Sequence, residues 1–171
     1  TMISLGSASF LGAQTTVFSD DFITNQSATW TTTGAIGSSA WSVSRSGADW
    51  GGRRHTSTSQ LELTNDASGT ANAAGWVFAS TATGSFSSPY STTLNSNASV
   101  VTWSFNIRQP RPNPAGYGAG DYGAAFLLAG SSATAATTGN GYAIVYGQTG
   151  ATDPIRLVRY ASGLQGTLTN L

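Results

Sequence analysis

The chain predicts an all-β domain, a two-sheet antiparallel sandwich or jelly roll, on three observations. Val100-Val-Thr-Trp-Ser-Phe-Asn-Ile-Arg108 alternates strictly, with Val101, Trp103, Phe105 and Ile107 on one face and Thr102, Ser104, Asn106 and Arg108 on the other. Such a pattern marks a strand with one face buried and the other polar. Similar period-two segments recur along the chain with turn-rich spacers between them. No segment offers ten residues of helical periodicity with caps.

The predicted strands are Thr16–Phe22, Ala40–Arg45, Gln60–Thr64, Gly75–Ser80, Val100–Arg108, Tyr122–Ala129, Tyr142–Tyr146 and Ile155–Tyr160. Trp41, Trp76 and Trp103 alternate with polar neighbours inside their strands and read as core. Gly34-Ala-Ile-Gly37, Asn65-Asp-Ala-Ser-Gly69 and Gly147-Gln-Thr-Gly150 have turn chemistry. Pro110, Pro112 and Pro114 fall just beyond the fifth strand, where a missing N–H costs no ladder bond. The spacers 82–98 and 130–141 are nearly pure Ser, Thr, Ala, Gly and Asn, and read as mobile loops.

Composition narrows the partners. The 171 residues suit one domain, and only 8% of them are charged, against about 25% in typical soluble chains. All seven basic residues are Arg, balanced by six Asp and one Glu, so no basic surface for nucleic acid is expected. No apolar run reaches the length that spans a bilayer. The lack of Cys removes disulfides, thiol catalysis and thiolate metal sites. A Ser/Thr/Gly-rich surface without Lys points to a secreted bacterial protein. Met2–Gln14 reads as the remnant of a secretory signal, with a short first strand or a disordered tail as the alternatives for residues 1–14.

Phe18-Ser-Asp-Asp-Phe22, Trp103-Ser-Phe-Asn-Ile-Arg108, Gly120-Asp-Tyr-Gly-Ala-Ala-Phe126, Gly141-Tyr-Ala-Ile-Val-Tyr-Gly147 and Ile155-Arg-Leu-Val-Arg-Tyr160 together resemble a concanavalin A-like (laminin G-like) jelly roll. The resemblance spans about residues 16–171, within a jelly-roll domain placed at 15–171. It implies a module of a large secreted or cell-surface bacterial protein with further domains, in which more strands follow, so the jelly roll is expected to be C-terminally incomplete.

Catalysis is not expected. Glycosidases on this jelly roll resemble one another in a strand carrying two or three acids at alternate positions, and Glu62 stands alone in Gln60-Leu-Glu-Leu-Thr64. A glycoside hydrolase remnant is therefore the weakest reading. A Ser-His-Asp arrangement would need His55, the single His, and no nucleophile elbow accompanies it.

Binding is the stronger expectation, with glycans or cell-surface polymers as partners. Arg45-Ser-Gly-Ala-Asp-Trp-Gly-Gly-Arg-Arg-His55 gathers Trp50 with Arg53 and Arg54, a stacking plane beside bidentate donors. The alternative is a structural loop in which Asp49 pairs with Arg53 and Trp50 covers the edge of the sandwich. Asn106 and Arg108, with Arg111, Asn113, Tyr117, Asp121 and Tyr122 just beyond, form a second candidate. Its alternative is a rigid crossover loop. Asp20-Asp21 offers a site for structural Ca²⁺ with Asp21 as ligand, against a solvated acidic strand end. No other cofactor is expected. Asn25-Gln-Ser27 and Asn97-Ala-Ser99 are glycosylation sequons of little meaning in a bacterial chain. A structural spacer without a small-molecule ligand is the competing account of the whole domain.

Overall fold

A computed structural model describes residues 15–69, 74–90, 100–110, 112–117 and 123–171. The expected features at 1–14, Asn97-Ala-Ser99, Arg111, Asp121 and Tyr122 lie outside the described residues. The strands are β1 (Gly34–Ala35), β2 (Trp41–Ser46), β3 (Gly51–Arg54), β4 (Leu61–Thr64), β5 (Trp76–Thr81), β6 (Ala124–Gly130), β7 (Asn140–Tyr146), β8 (Ile155–Ala161) and β9 (Thr167–Asn170). One short 3₁₀ turn, Thr83–Ser85, follows β5. Every pairing is antiparallel, in the orders β1-β2-β5, β3-β4 and β6-β7-β8-β9. The all-β, antiparallel expectation holds.

The four-stranded sheet carries the main core. Ala143 and Val145 of β7 and Val158 and Tyr160 of β8 are fully buried, while Tyr142, Leu157 and Ile155 on the opposite face remain exposed. Side chains alternate across a strand, so one face packs and the other does not. Phe78 of β5 packs against this core and joins the three-stranded sheet to it. The Tyr160 ring needs room that only glycine leaves. Tyr160 lies over Gly130 and Gly141, and a Cβ on Gly141 would come within 2.6 Å of the phenol oxygen.

Five expectations need correcting. Residues 101–110 keep their alternation, with Val101, Trp103, Phe105 and Ile107 half-buried and their neighbours exposed, yet they join no ladder. The Phe105 ring stacks on that of Phe126 in β6, with the centroids 3.7 Å apart and the planes nearly parallel. Trp41 and Trp76, expected in the core, are likewise only half-buried.

Thr16–Phe22 forms no strand, because Asp20 and Asp21 each accept a hydrogen bond from the backbone N–H two residues on. That local bond competes with a sheet ladder. The spacer 130–141 is packed rather than mobile. Ala135 and Ala136 are fully buried, and their carbonyls accept from Leu164 and Gln165 at 2.8 and 3.0 Å. Finally, β3 sits inside the 45–55 loop. Its Gly51-Gly52 pair disguised it in the sequence, since glycine is depleted in strands. Here both glycines are buried under close neighbours: a Cβ on Gly52 would meet Leu63 at 2.9 Å and Val43 at 3.1 Å.

Candidate functional site: the cleft beside Trp30

The segment 27–31 runs along the free side of β3. Ser27 N–H donates to the Arg54 carbonyl at 2.9 Å, and Thr31 and Gly52 exchange both backbone bonds at 2.8 and 2.9 Å. This brings Trp30 against Arg53, whose guanidinium lies 3.9 Å from the indole centroid. In the β3–β4 register Arg53 faces Glu62, and its Nε–H donates to Glu62 Oε2 at 3.0 Å. Its Nη1–H donates to the Ala28 carbonyl at 2.8 Å. The expected Asp49–Arg53 pair is therefore not formed. Asp49 is buried instead against Ser68, whose backbone N–H donates to its carboxylate at 3.2 Å.

Trp30 also lines a cleft of about 420 Å³, together with Asn25, Gln26, Ser27, Thr29, Thr31, Ile36 and Gly37. Ligand pockets span roughly 300–1,000 Å³, so this one lies at the small end. Among the described residues no charged side chain stands in its wall. Gln26 Nε2–H donates to the Phe22 carbonyl and Ser59 Oγ, and the Ser38 hydroxyl donates to Asn25 Oδ1. Those bonds fix the two amides while leaving Gln26 Oε1 and Asn25 Nδ2 without a protein partner among the described residues, as are the Thr29 and Thr31 hydroxyls.

The other expected site residues are dispersed. Arg54 is buried, forms an ion pair with Asp20, donates to Thr24 Oγ1 at 3.2 Å and lies over the Phe22 ring. Its charge is used inside the protein, so it offers nothing to an external ligand. Trp50 is half-buried over Gly47 and Gly75. Asn106 and Arg108 are exposed on the outer side of residues 101–110 and line neither this cleft nor the next.

Tyr117 lines a second cleft of about 430 Å³ with Ala115, Gln148, Thr149, Arg156 and Leu168. Burial pushes its hydroxyl up to about 12. Asp21 is exposed and its Oδ1 accepts from Ile23 N–H at 3.1 Å. No group of three or more His, Asp or Glu side chains gathers around it or elsewhere among the described residues.

His55, Ser57 and Glu62 come near one another without the geometry of a triad. Ser57 donates to His55 Nδ1 from its backbone N–H at 3.2 Å, and its hydroxyl lies 3.1 Å from the same atom. His55 Nε2 stands 3.9 Å from Glu62, beyond hydrogen-bond reach. The contacts close the turn between β3 and β4.

Sequence reasoning missed Trp30, Asn25 and Gln26. The signal was there: an aromatic set between Thr29 and Thr31-Thr-Thr33, five residues after an Asn-Gln pair. Only the bridge between Thr31 and Gly52 makes a cleft of them. Comparison with protein-family models, with curated proteins and with solved structures finds no match.

Proposed function

We propose that this chain is a non-catalytic extracellular module that binds carbohydrate, an adhesion element of a larger surface protein built on a concanavalin A-like jelly roll. The cleft beside Trp30 carries the reading. It offers an aromatic surface, two amides held in place and two hydroxyls with no protein partner among the described residues. Sugar recognition combines an apolar stacking plane with a small number of placed polar groups. Among the described residues the wall contains no carboxylate, whereas glycoside hydrolysis needs a pair of them across the bond.

A second reading, a spacer without a small-molecule ligand, is favoured by one observation. Arg53 and Arg54, the donors that the sequence offers to a ligand, are both engaged inside the protein. A glycan array separates the two readings. Binding by the wild-type protein that is lost in Trp30→Ala supports carbohydrate recognition at this cleft. An array with no wild-type binding puts the spacer ahead.

A further inference from the structure

We infer that the Trp30 cleft selects a neutral sugar residue over an anionic one; the inference rests on the carbohydrate reading and adds the ligand class. The argument is one of donors and acceptors. A sugar hydroxyl donates one hydrogen bond and accepts others, so a site built for it must offer both kinds of partner. This cleft does so: Asn25 Nδ2 donates, Gln26 Oε1 accepts, and the Thr29 and Thr31 hydroxyls do either. A carboxylate or sulfate only accepts. Placed at Gln26 Oε1 it would face another acceptor, and an acceptor desolvated without a donor is costly.

The charges point the same way. Arg53, the cation stacked on Trp30, is not part of the cleft wall, and Glu62 neutralises it at 3.0 Å. Arg53 lies on Trp30 rather than in the cleft, with its guanidinium held by Glu62 and the Ala28 carbonyl. Those contacts fix the indole as a platform. A sugar ring stacked on the surface of Trp30 that lines the cleft would find the amides and hydroxyls around its rim.

The test is an NMR titration of the whole 171-residue protein with two sets of probes. One set is neutral methyl hexopyranosides; the other is the matching methyl hexuronosides and sulfated hexosides. The expected result is binding of at least one neutral probe, with shifts centred on the Asn25 and Gln26 side-chain amides and the Trp30 indole N–H. Affinity should not change with added salt, because no ionic contact is screened.

Thr29→Val, at an exposed position that does not threaten folding, should weaken that binding roughly fivefold, the equivalent of one hydrogen bond. Trp30→Ala should weaken it about tenfold, and Trp30→Phe should recover part of the loss. Preference for the anionic probes at these same resonances would overturn the neutral class while leaving carbohydrate binding intact. Neutral binding that shifts other resonances, or that is indifferent to Thr29→Val and Trp30→Ala, would overturn this cleft as the site. No binding by any sugar in either set would overturn the carbohydrate reading itself.

Discussion

Asp20 and Arg54, thirty-four positions apart, form a largely buried ion pair, and the second carboxylate oxygen of Asp20 accepts the Trp41 indole N–H at 2.9 Å. The Arg54 side chain is only 2% exposed and that of Asp20 14%. Thus a charged pair, rather than an apolar contact, ties residues 20–24 to β3. Two charges removed from water are costly singly and tolerable together.

Removing one partner of this pair should therefore be severe. Arg54→Met leaves the Asp20 carboxylate without its cation, and a loss on the order of 3–5 kcal/mol is expected. Chemical denaturation of Asp20→Asn, Arg54→Met and the double variant measures it. A double variant that recovers much of the single losses confirms the coupling; losses that simply add would show that the two residues act independently.

The Arg53–Glu62 pair should matter much less. The two side chains are 17% and 33% exposed, so solvent screens the charge. Glu62→Gln should cost at most about 1 kcal/mol, and less in high salt. A loss as large as that of Arg54→Met would contradict the comparison.

Tyr160 offers the opposite sign. Its hydroxyl is buried with no hydrogen-bond partner among the described residues. Burial also holds its phenol above the ordinary tyrosine range. Tyr160→Phe removes an unsatisfied polar atom and keeps the ring, so stability should hold or rise by about 1 kcal/mol. Gly141→Ala should lower stability, because the new methyl would press on the Tyr160 phenol and the Ala129 carbonyl. Thermal melts of the two variants check both signs.

Tyr117 makes stability pH-dependent in alkali. Its hydroxyl is raised from 10.0 to about 12 by burial. The unfolded chain thus releases this proton near pH 10, and the folded protein near pH 12. Stability from this group is intact below pH 10, falls as pH rises from 10 to 12, and levels off above that. The two-unit gap corresponds to roughly 2–3 kcal/mol. Tyr117→Phe should flatten this part of the stability curve, as followed by denaturation at stepped pH. An unchanged curve would assign the alkaline loss to other groups.

Alternation alone determined a good deal. It sets Val101, Trp103, Phe105 and Ile107 facing inward from residues 101–110, whereas Tyr142-Ala-Ile-Val-Tyr146 is apolar on both sides and only the packing buries Ala143 and Val145. A strand's two faces follow from its own covalent geometry, whatever lies beside it. The lack of helical periodicity likewise predicted a chain of antiparallel strands.

Partnership is a different matter. Nothing in Gly51-Gly-Arg-Arg54 announces a strand, because the glycines are strand-poor until Leu63, Val43 and Ala67 pack against them. Glu62 opposite Arg53, Asp20 against Arg54 and Trp30 under the Arg53 guanidinium each join segments that the sequence keeps apart. The same holds for Phe105, which the pattern turned inward and which stacks on Phe126. Register, ion pairing and ring stacking depend on which segments meet, and that is settled by the summed packing of the whole chain. Local pattern chose the faces of the strands; tertiary structure chose their neighbours, and the cleft beside Trp30 came with them.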